Sequence, residues 1–462
     1  MYSSSQRSKR KRGIILSSEG WQRLNQARKE SEIQQNASIS YTLEDLSEKT
    51  GLSSHTLTKV RRQQSPVDKQ TLEYYFEAFG LKLGEEDYTK PLPEAEISAR
   101  NSNSQKEIVQ GKSNNTLPDP LLPSGQVPLE SRFYIERSPA ETECFKTVMQ
   151  PGSLIRIKAA RRMGKSSLIA RIVNRAAQEG YKTIFLSLQM ADRSILQDLD
   201  KFLQWFSASV GLGMHLPNRL DGYWDELFGS KISCKIYFEQ YLLAKATQPV
   251  VLALDDVDRL FDYPEIAEDF FGLLRTWHEQ AKNRGVWQQL RLVVAHSTEV
   301  YIPLNVNKSP FNVGIPIELE SLTAEQVEQL AQKYDLEWSK TDTEKLMAIV
   351  NGQPYLIQLG LYALWHEGIT LERLLKEAIA GNGVYANHLQ RLLWTLEQDS
   401  FLAEALNKVI NSSTPVELEL VQAFKLESLG LISLQGNHAS SSCNLYANYF
   451  RDRLQGLVVS SG

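Results

Sequence analysis

IKAARRMGKSSLIARIV, Ile157 to Val173, decides how the chain is read. It nearly spells G-x-x-x-x-G-K-[ST], the loop whose backbone amides cradle phosphates, with Ala159 where the first glycine stands. A G-K-S tripeptide alone is weak, because average residue usage yields G-K-[ST] by chance in roughly one chain in five of this length. Its setting carries the weight. SLIRIK, Ser153 to Lys158, reads as an apolar strand before the loop, and SSLIARIVNRAAQE, Ser166 to Glu179, as a helix after it. A helix N-terminus aims unsatisfied N–H groups and a partial positive charge at an anion, so strand, loop, helix is the arrangement this chemistry needs. Gly164 lets the backbone approach phosphate without a Cβ. Lys165 reaches the β- and γ-phosphates, and the Ser166 hydroxyl is a Mg²⁺ ligand. Alanine at 159 costs little provided its φ is negative. The competing reading is a helix start with a solvated lysine.

A second signal stands 255 − 165 = 90 residues later. PVVLALDDVDRLF, Pro249 to Phe261, is an apolar strand ending in two carboxylates, the form of a Walker B segment. Asp255 is the expected Mg²⁺ ligand, and Asp256 stands where a general base polarises attacking water, one methylene shorter than the usual glutamate. LRLVVAHSTEVY, Leu290 to Tyr301, ends a third strand in His296, Ser297 and Thr298. His296 reads either as a γ-phosphate sensor with a catalytic role or as a satisfied structural histidine. Further strands are expected at Thr183 to Leu188 and Ile315 to Leu319, with helical periodicity between strands. Alternating strands and helices predict a parallel sheet covered on both faces, a three-layer α/β core.

The flanks read differently. Residues 1–12 form a polar basic tail, and 13–90 an all-helical domain with apolar positions such as Trp21, Leu24, Leu72, Tyr75 and Phe76. Residues 91–126 are rich in Pro, Ser and Asn, a flexible linker. The α/β core is expected over 127–322 and a helical lid over 323–397. Residues 398–456 read helix, helix, hairpin around Gly436-Asn437, then a short helix, a winged-helix shape. The aromatics Trp205, Phe206, Trp224, Phe228, Tyr237, Phe238 and Tyr241 read as helical packing against the sheet.

Composition limits the alternatives. A chain of 462 residues holds about two to four domains, and a net charge of −4 supplies no global basic field for nucleic acid or acidic membrane. Three widely spaced cysteines, Cys144, Cys234 and Cys443, offer neither metal-ligand spacing nor an even disulfide set, which fits a reducing cytoplasm. Apolar runs such as Val250 to Leu254 are far below the roughly 18 residues a membrane span requires. No G-x-S-x-G, H-E-x-x-H or C-x-x-C occurs.

Taken together, AARRMGKSSL (Ala159 to Leu168), LALDDVDRLF (Leu252 to Phe261), HSTEVY (His296 to Tyr301) and NGQPYLIQL (Asn351 to Leu359) resemble the motifs of bacterial AAA-like ATPases. These are related to the archaeal-type and STAND class of P-loop NTPases. FYIERSPAETECF, Phe133 to Phe145, is similar to that class's F-[VI]-x-R segment near the nucleotide base, with Arg137 matching its arginine. The resemblance implies ATP or ADP with Mg²⁺ as cofactors. It assigns Arg137, Ala159, Arg161, Arg162, Met163, Gly164, Lys165, Ser166, Ser167 and Pro354 to nucleotide, with Lys165, Asp256 and His296 acting in catalysis. It further implies a switch: ADP holds a closed monomer, and ATP releases a form that assembles or engages a partner.

TLEDLSEKTGLSSHTLTKVRRQ, Thr42 to Gln63, resembles the helix-turn-helix found ahead of such ATPases in proteins associated with von Willebrand A and MoxR partners. His55, Lys59, Arg61 and Arg62 are its candidate contacts to DNA or to a protein partner. The net charge over residues 1–90 is 15 − 12 = +3, modest for a DNA binder. Three functions fit these residues: a nucleotide-controlled assembly switch, an ATP-gated DNA-binding regulator, and a nucleotide-binding scaffold without turnover.

Overall fold

A computed structural model describes residues 14–35, 41, 46, 49–52, 56–57, 60, 67–89, 122–283, 285–297 and 310–459. The chain divides into two compact units, Met1–Thr116 and Leu117–Gly462. Among the described residues no helix is long and apolar enough to cross a membrane.

In the amino-terminal unit the helices Ser18–Gln35 and Lys69–Glu77 flank a short antiparallel ladder, Ile15–Leu16 with Tyr88–Thr89. Leu24, Leu46, Leu57, Val60, Leu72, Tyr75 and Phe76 make its core. The Asp87 side chain is fully buried and accepts from Arg23 Nη1 at 2.6 Å, so this buried carboxylate is paired. His55, Lys59, Arg61 and Arg62 lie outside the described residues.

The second unit is built on a five-stranded sheet. Its strands are β1 (Leu154–Lys158), β2 (Lys182–Ser187), β3 (Val250–Asp255), β4 (Leu290–His296) and β5 (Ile315–Glu318). All pairings are parallel and the order is β2-β3-β4-β1-β5. Side-chain alternation explains why β3 reads as a continuous apolar run. Val251 and Ala253 face a layer containing Leu168, Ile169 and Ile172. Leu252 and Leu254 face the opposite layer with Phe202, Phe206, Phe270 and Trp277. The first layer holds helices α1 (Ala140–Val148) and α2 (Lys165–Gln178); the second holds α3 (Leu199–Gly213) and α4 (Pro264–Gln280). The three-layer α/β core is therefore as the sequence reads. Phe206, Tyr237, Phe238 and Tyr241 are buried in the second layer, while Phe228 is exposed.

After β5 the chain is helical from Ala324 to Glu397. The C-terminal module follows with helices Ser400–Ile410 and Leu420–Ser428. A three-stranded antiparallel sheet holds Val416–Glu417, Ile432–Gln435 and His438–Ser441. Gly436-Asn437 makes the hairpin turn. The last helix, Asn444–Val459, has 16 residues, where the sequence reading expected a short one. Lid and C-terminal module share one hydrophobic core, in which Leu330, Leu346, Leu356, Leu389, Leu406, Tyr446 and Phe450 pack together.

Gly352 fixes the junction between sheet and lid. Its φ is +67° and its carbonyl accepts from Leu322 N–H at 2.8 Å; a Cβ there would stand 2.3 Å from the Leu322 carbonyl oxygen. Gly352→Ala is therefore expected to destabilise this unit by about 1–3 kcal/mol, read as a lower denaturant midpoint. An unchanged midpoint would contradict the packing described.

Candidate functional site

The C-terminal ends of β1, β3 and β4 meet at one edge of the sheet, where α2 begins. In a parallel α/β sheet this edge is where the strand order reverses and a crevice opens. Here the crevice is a cavity of about 870 Å³ lined by the loop residues Arg161–Leu168, by Arg137, Asp256, Asp258 and Ser297, and by lid residues including Pro354 and Tyr355.

The loop takes the shape its sequence allows. Gly164, with φ 102° and ψ 13°, caps α2, and Arg162 has φ 66°. Ala159 is not among the left-handed residues; it is buried beside Ile157 and Leu168 as a continuation of the strand. Its amide donates to the His296 carbonyl at 3.3 Å. The missing glycine is thus met by alanine in an ordinary conformation. Lys165 is buried, and its ammonium donates to the carbonyls of Ala159 at 2.7 Å and Ala160 at 3.1 Å. Burial lowers its pKa, opposed by the carboxylates of Asp258, Asp255 and Asp256 and helped by Arg161. Those three acids stabilise the positive charge that burial disfavours.

Ser166 Oγ donates to Asp255 Oδ2 at 2.6 Å. Burial raises the Asp255 pKa and the Ser166 bond opposes the shift. A hydroxyl and a carboxylate are hard oxygen donors, and Mg²⁺ characteristically uses one or two carboxylates with substrate phosphates rather than an all-protein cage. Ser166 Oγ and Asp255 Oδ2 offer two such donors, and the pair fits an ion completed by phosphate. Asp256 has a left-handed backbone, φ 56°, and its Oδ2 accepts from Ser187 Oγ at 2.8 Å.

Arg137 does not stand over the cavity as a free cation. Its guanidinium donates to the Met163 carbonyl at 2.9 Å and to the Glu320 carbonyl at 2.6 Å, bracing the loop against the segment after β5. Ser167 Oγ accepts from the Val127 amide at 2.9 Å. The His296 ring is buried against Phe311, 4.9 Å between centroids, while its neighbour Ser297 lines the cavity. Alternation along β4 turns consecutive side chains to opposite faces, which is why the strand tip offers Ser297. Thr298 lies outside the described residues. Pro354 is the first residue of the helix Pro354–Glu367, and Gln353 Oε1 caps it by accepting from Leu356 N at 2.7 Å.

Several residues near the loop escaped the sequence reading. Ser187 ends β2 beside Asp255, a strand-tip position that could have been flagged. Asp258, two residues beyond the expected base, accepts from the Ser297 amide at 3.2 Å. Tyr355, His388, Ser428 and Gly430 reach the loop from distant parts of the chain. Arg161 N–H donates to the Ser428 carbonyl at 2.8 Å, and a Cβ on Gly430 would lie 3.7 Å from Ala160 Cβ.

Residues 122–452 match the model of the AAA-like domain family. The chain belongs to the AAA-like domain family. A curated relative, an uncharacterized WD repeat-containing protein of Synechocystis sp., is 22% identical over 218 residues, 46% of this chain and 18% of that protein. The matched stretch thus spans about a fifth of the relative's length. Among solved structures, the Walker-type ATPase of Pyrococcus abyssi is 10% identical, covers 69% of this chain and 96% of its own, and has a TM-score of 0.48. The ORC2 protein of Aeropyrum pernix in its ADP form is 15% identical, with 74% and 97% coverage and a TM-score of 0.41. A STAND protein with a tetratricopeptide repeat sensor from Pyrococcus horikoshii is 15% identical, with 75% and 47% coverage and a TM-score of 0.32.

Arg137→Ala removes both arms of the brace beneath the loop. A thermal melt is expected to report a loss of about 1–3 kcal/mol, because the Met163 and Glu320 carbonyls lose charge-assisted donors. A melt identical to wild type would show that the brace carries no stability.

Proposed function

We propose that the chain is an ATP-binding switch with slow hydrolysis, in which the state of the nucleotide controls assembly or engagement of a protein partner. The observation that carries this reading is the Arg161 amide donating to the Ser428 carbonyl at 2.8 Å. The apex of the phosphate loop and the C-terminal module are thereby joined. A ligand that fills the loop and demands that amide must displace Ser428, which is how nucleotide state becomes module position.

The loop's chemistry supports nucleotide as the ligand. The amides at the start of α2 and the buried Lys165 ammonium attract polyphosphate. Ser166 and Asp255 would hold Mg²⁺, which would supply neutralisation of the charge building on the phosphates. Asp256 aligns attacking water once it leaves Ser187. Slow turnover follows from that engaged carboxylate and from its reach, one methylene less than glutamate, since about 1 Å of misplacement costs a large factor in rate. Ser297 faces the cavity as the polar group at the β4 tip, the place for which His296 was the candidate. We assign the amino-terminal unit to partner binding rather than DNA, because 15 − 12 = +3 over residues 1–90 is a small charge for phosphate recognition.

Isothermal titration tests the ligand. Lys165→Ala is expected to weaken ATP and ADP binding at least about tenfold, one lost charge-assisted contact, and to abolish phosphate release. Equal affinity and turnover in the variant would refute the proposal. In Asp255→Asn, ATP affinity is expected to lose its dependence on Mg²⁺ while metal-free ADP binds as in wild type. Retained Mg²⁺ dependence would remove Asp255 from the metal site.

A further inference from the structure

The resemblance assigned Arg162 to nucleotide, yet its side chain is engaged by residues of the lid. Its guanidinium lies over the Tyr355 ring, 4.1 Å from the centroid, and its Nη1 is 3.0 Å from His388 Nδ1. Arginine donates and never accepts, so Nδ1 is the acceptor here and the proton of neutral His388 sits on Nε2. Nε2 is 2.8 Å from the Tyr446 hydroxyl and donates to it. Tyr355 begins the helix that follows Gly352-Gln353-Pro354, His388 belongs to the helix Ala386–Glu397, and Tyr446 to the helix Asn444–Val459. One side chain of the loop is thus joined to two helices of the lid and, through a histidine, to the C-terminal module. His388 and Tyr446 are both buried, and Tyr446 does not line the cavity.

We propose that Arg162 is a positioning residue, and that the Arg162–His388–Tyr446 chain is the latch by which the C-terminal module sets the conformation of the phosphate loop. The left-handed backbone at Arg162, φ 66°, is unfavourable for a residue with a Cβ and persists where surrounding contacts over-determine it. The lid contacts supply that determination. With Arg162 held, the loop's amides keep their direction; with it released, the backbone relaxes and the cradle loosens. This deepens the reading of the loop as a nucleotide site and rests on it.

The latch has a proton linkage with a definite sign. The titratable and charged groups facing His388 are Arg162 from the loop, Tyr355 from the helix Pro354–Glu367, Arg391 from its own helix and Tyr446 from the C-terminal module. Burial first, then Arg162 and Arg391, lowers the His388 pKa to about 3. A latch that opens to solvent returns His388 to the ordinary value near 6.5, where it takes up a proton the closed form refuses. Closure is therefore fully favoured above about pH 6.5 and weakens as the pH falls toward 3.

Release of a fluorescent ADP from the full chain tests the latch, with thermal melting of each variant as a folding control. Tyr446→Phe deletes one hydroxyl that touches neither cavity nor loop, and release is expected to quicken about five-fold, the effect of one buried hydrogen bond. In wild type, release quickens about tenfold from pH 7.5 to 5.5. His388→Asn keeps an acceptor for Arg162 but cannot titrate, and its release is expected to be fast and independent of pH over that range. Wild-type rates in Tyr446→Phe, or a wild-type pH profile in His388→Asn, would overturn the latch. Hydrogen exchange of the loop peptide in nucleotide-free Tyr446→Phe supplies a readout that needs no ligand: faster exchange supports the latch and unchanged exchange overturns it. Absence of ADP binding in wild type would instead refute the nucleotide reading.

Discussion

A buried ammonium is the constraint on which the rest of the site depends. Lys165 places its charge at the edge of the sheet with little access to water, an arrangement that costs several kcal/mol unless the charge is compensated. Its bonds to the Ala159 and Ala160 carbonyls hold the loop curled over it, and the acids at 255, 256 and 258 supply the field that keeps it charged. The loop's shape, the acids on β3 and the start of α2 are parts of one electrostatic arrangement. The sheet makes it possible by bringing β1 and β3 to the same edge with β4 between them.

Gly164, Arg162 and Asp256 are left-handed, and all three line the cavity. Arg162 and Asp256, two of the five left-handed non-glycine residues among those described, thus stand at one crevice, where surrounding contacts hold a conformation that a Cβ disfavours. Arg137 braces the loop from the segment after β5, while Ser428 and the Arg162–His388–Tyr446 chain hold it from the other side. The C-terminal module shares a hydrophobic core with the lid, so movement of either is transmitted to the other rather than absorbed between them.

Much of this was legible in the amino-acid sequence. The five strands were legible, because a parallel sheet buried on both faces leaves continuous apolar runs such as VVLAL, Val250 to Leu254. Ala159 was readable as tolerable, since only the sign of its φ was at issue. Local pattern fails where contacts are distant: nothing within ten residues of Ser428 or His388 announces the phosphate loop. The choice between His296 and Ser297 depends on which face of β4 meets the cavity, and a strand buried on both faces carries no alternation to say so. The length of the last helix was missed because its polar positions, Arg451 to Arg453, mask a buried stripe of Leu445, Tyr446, Tyr449 and Phe450.

The central claim is that nucleotide at the loop competes with the C-terminal module for the loop's apex. Hydrogen exchange of the peptide spanning residues 426–431, compared in ADP and in a slowly hydrolysed ATP analogue, tests it most directly. The account predicts slow exchange in ADP, where the module stays seated, and markedly faster exchange in the analogue. Equal protection in the two nucleotides, at concentrations that saturate the site, would contradict it.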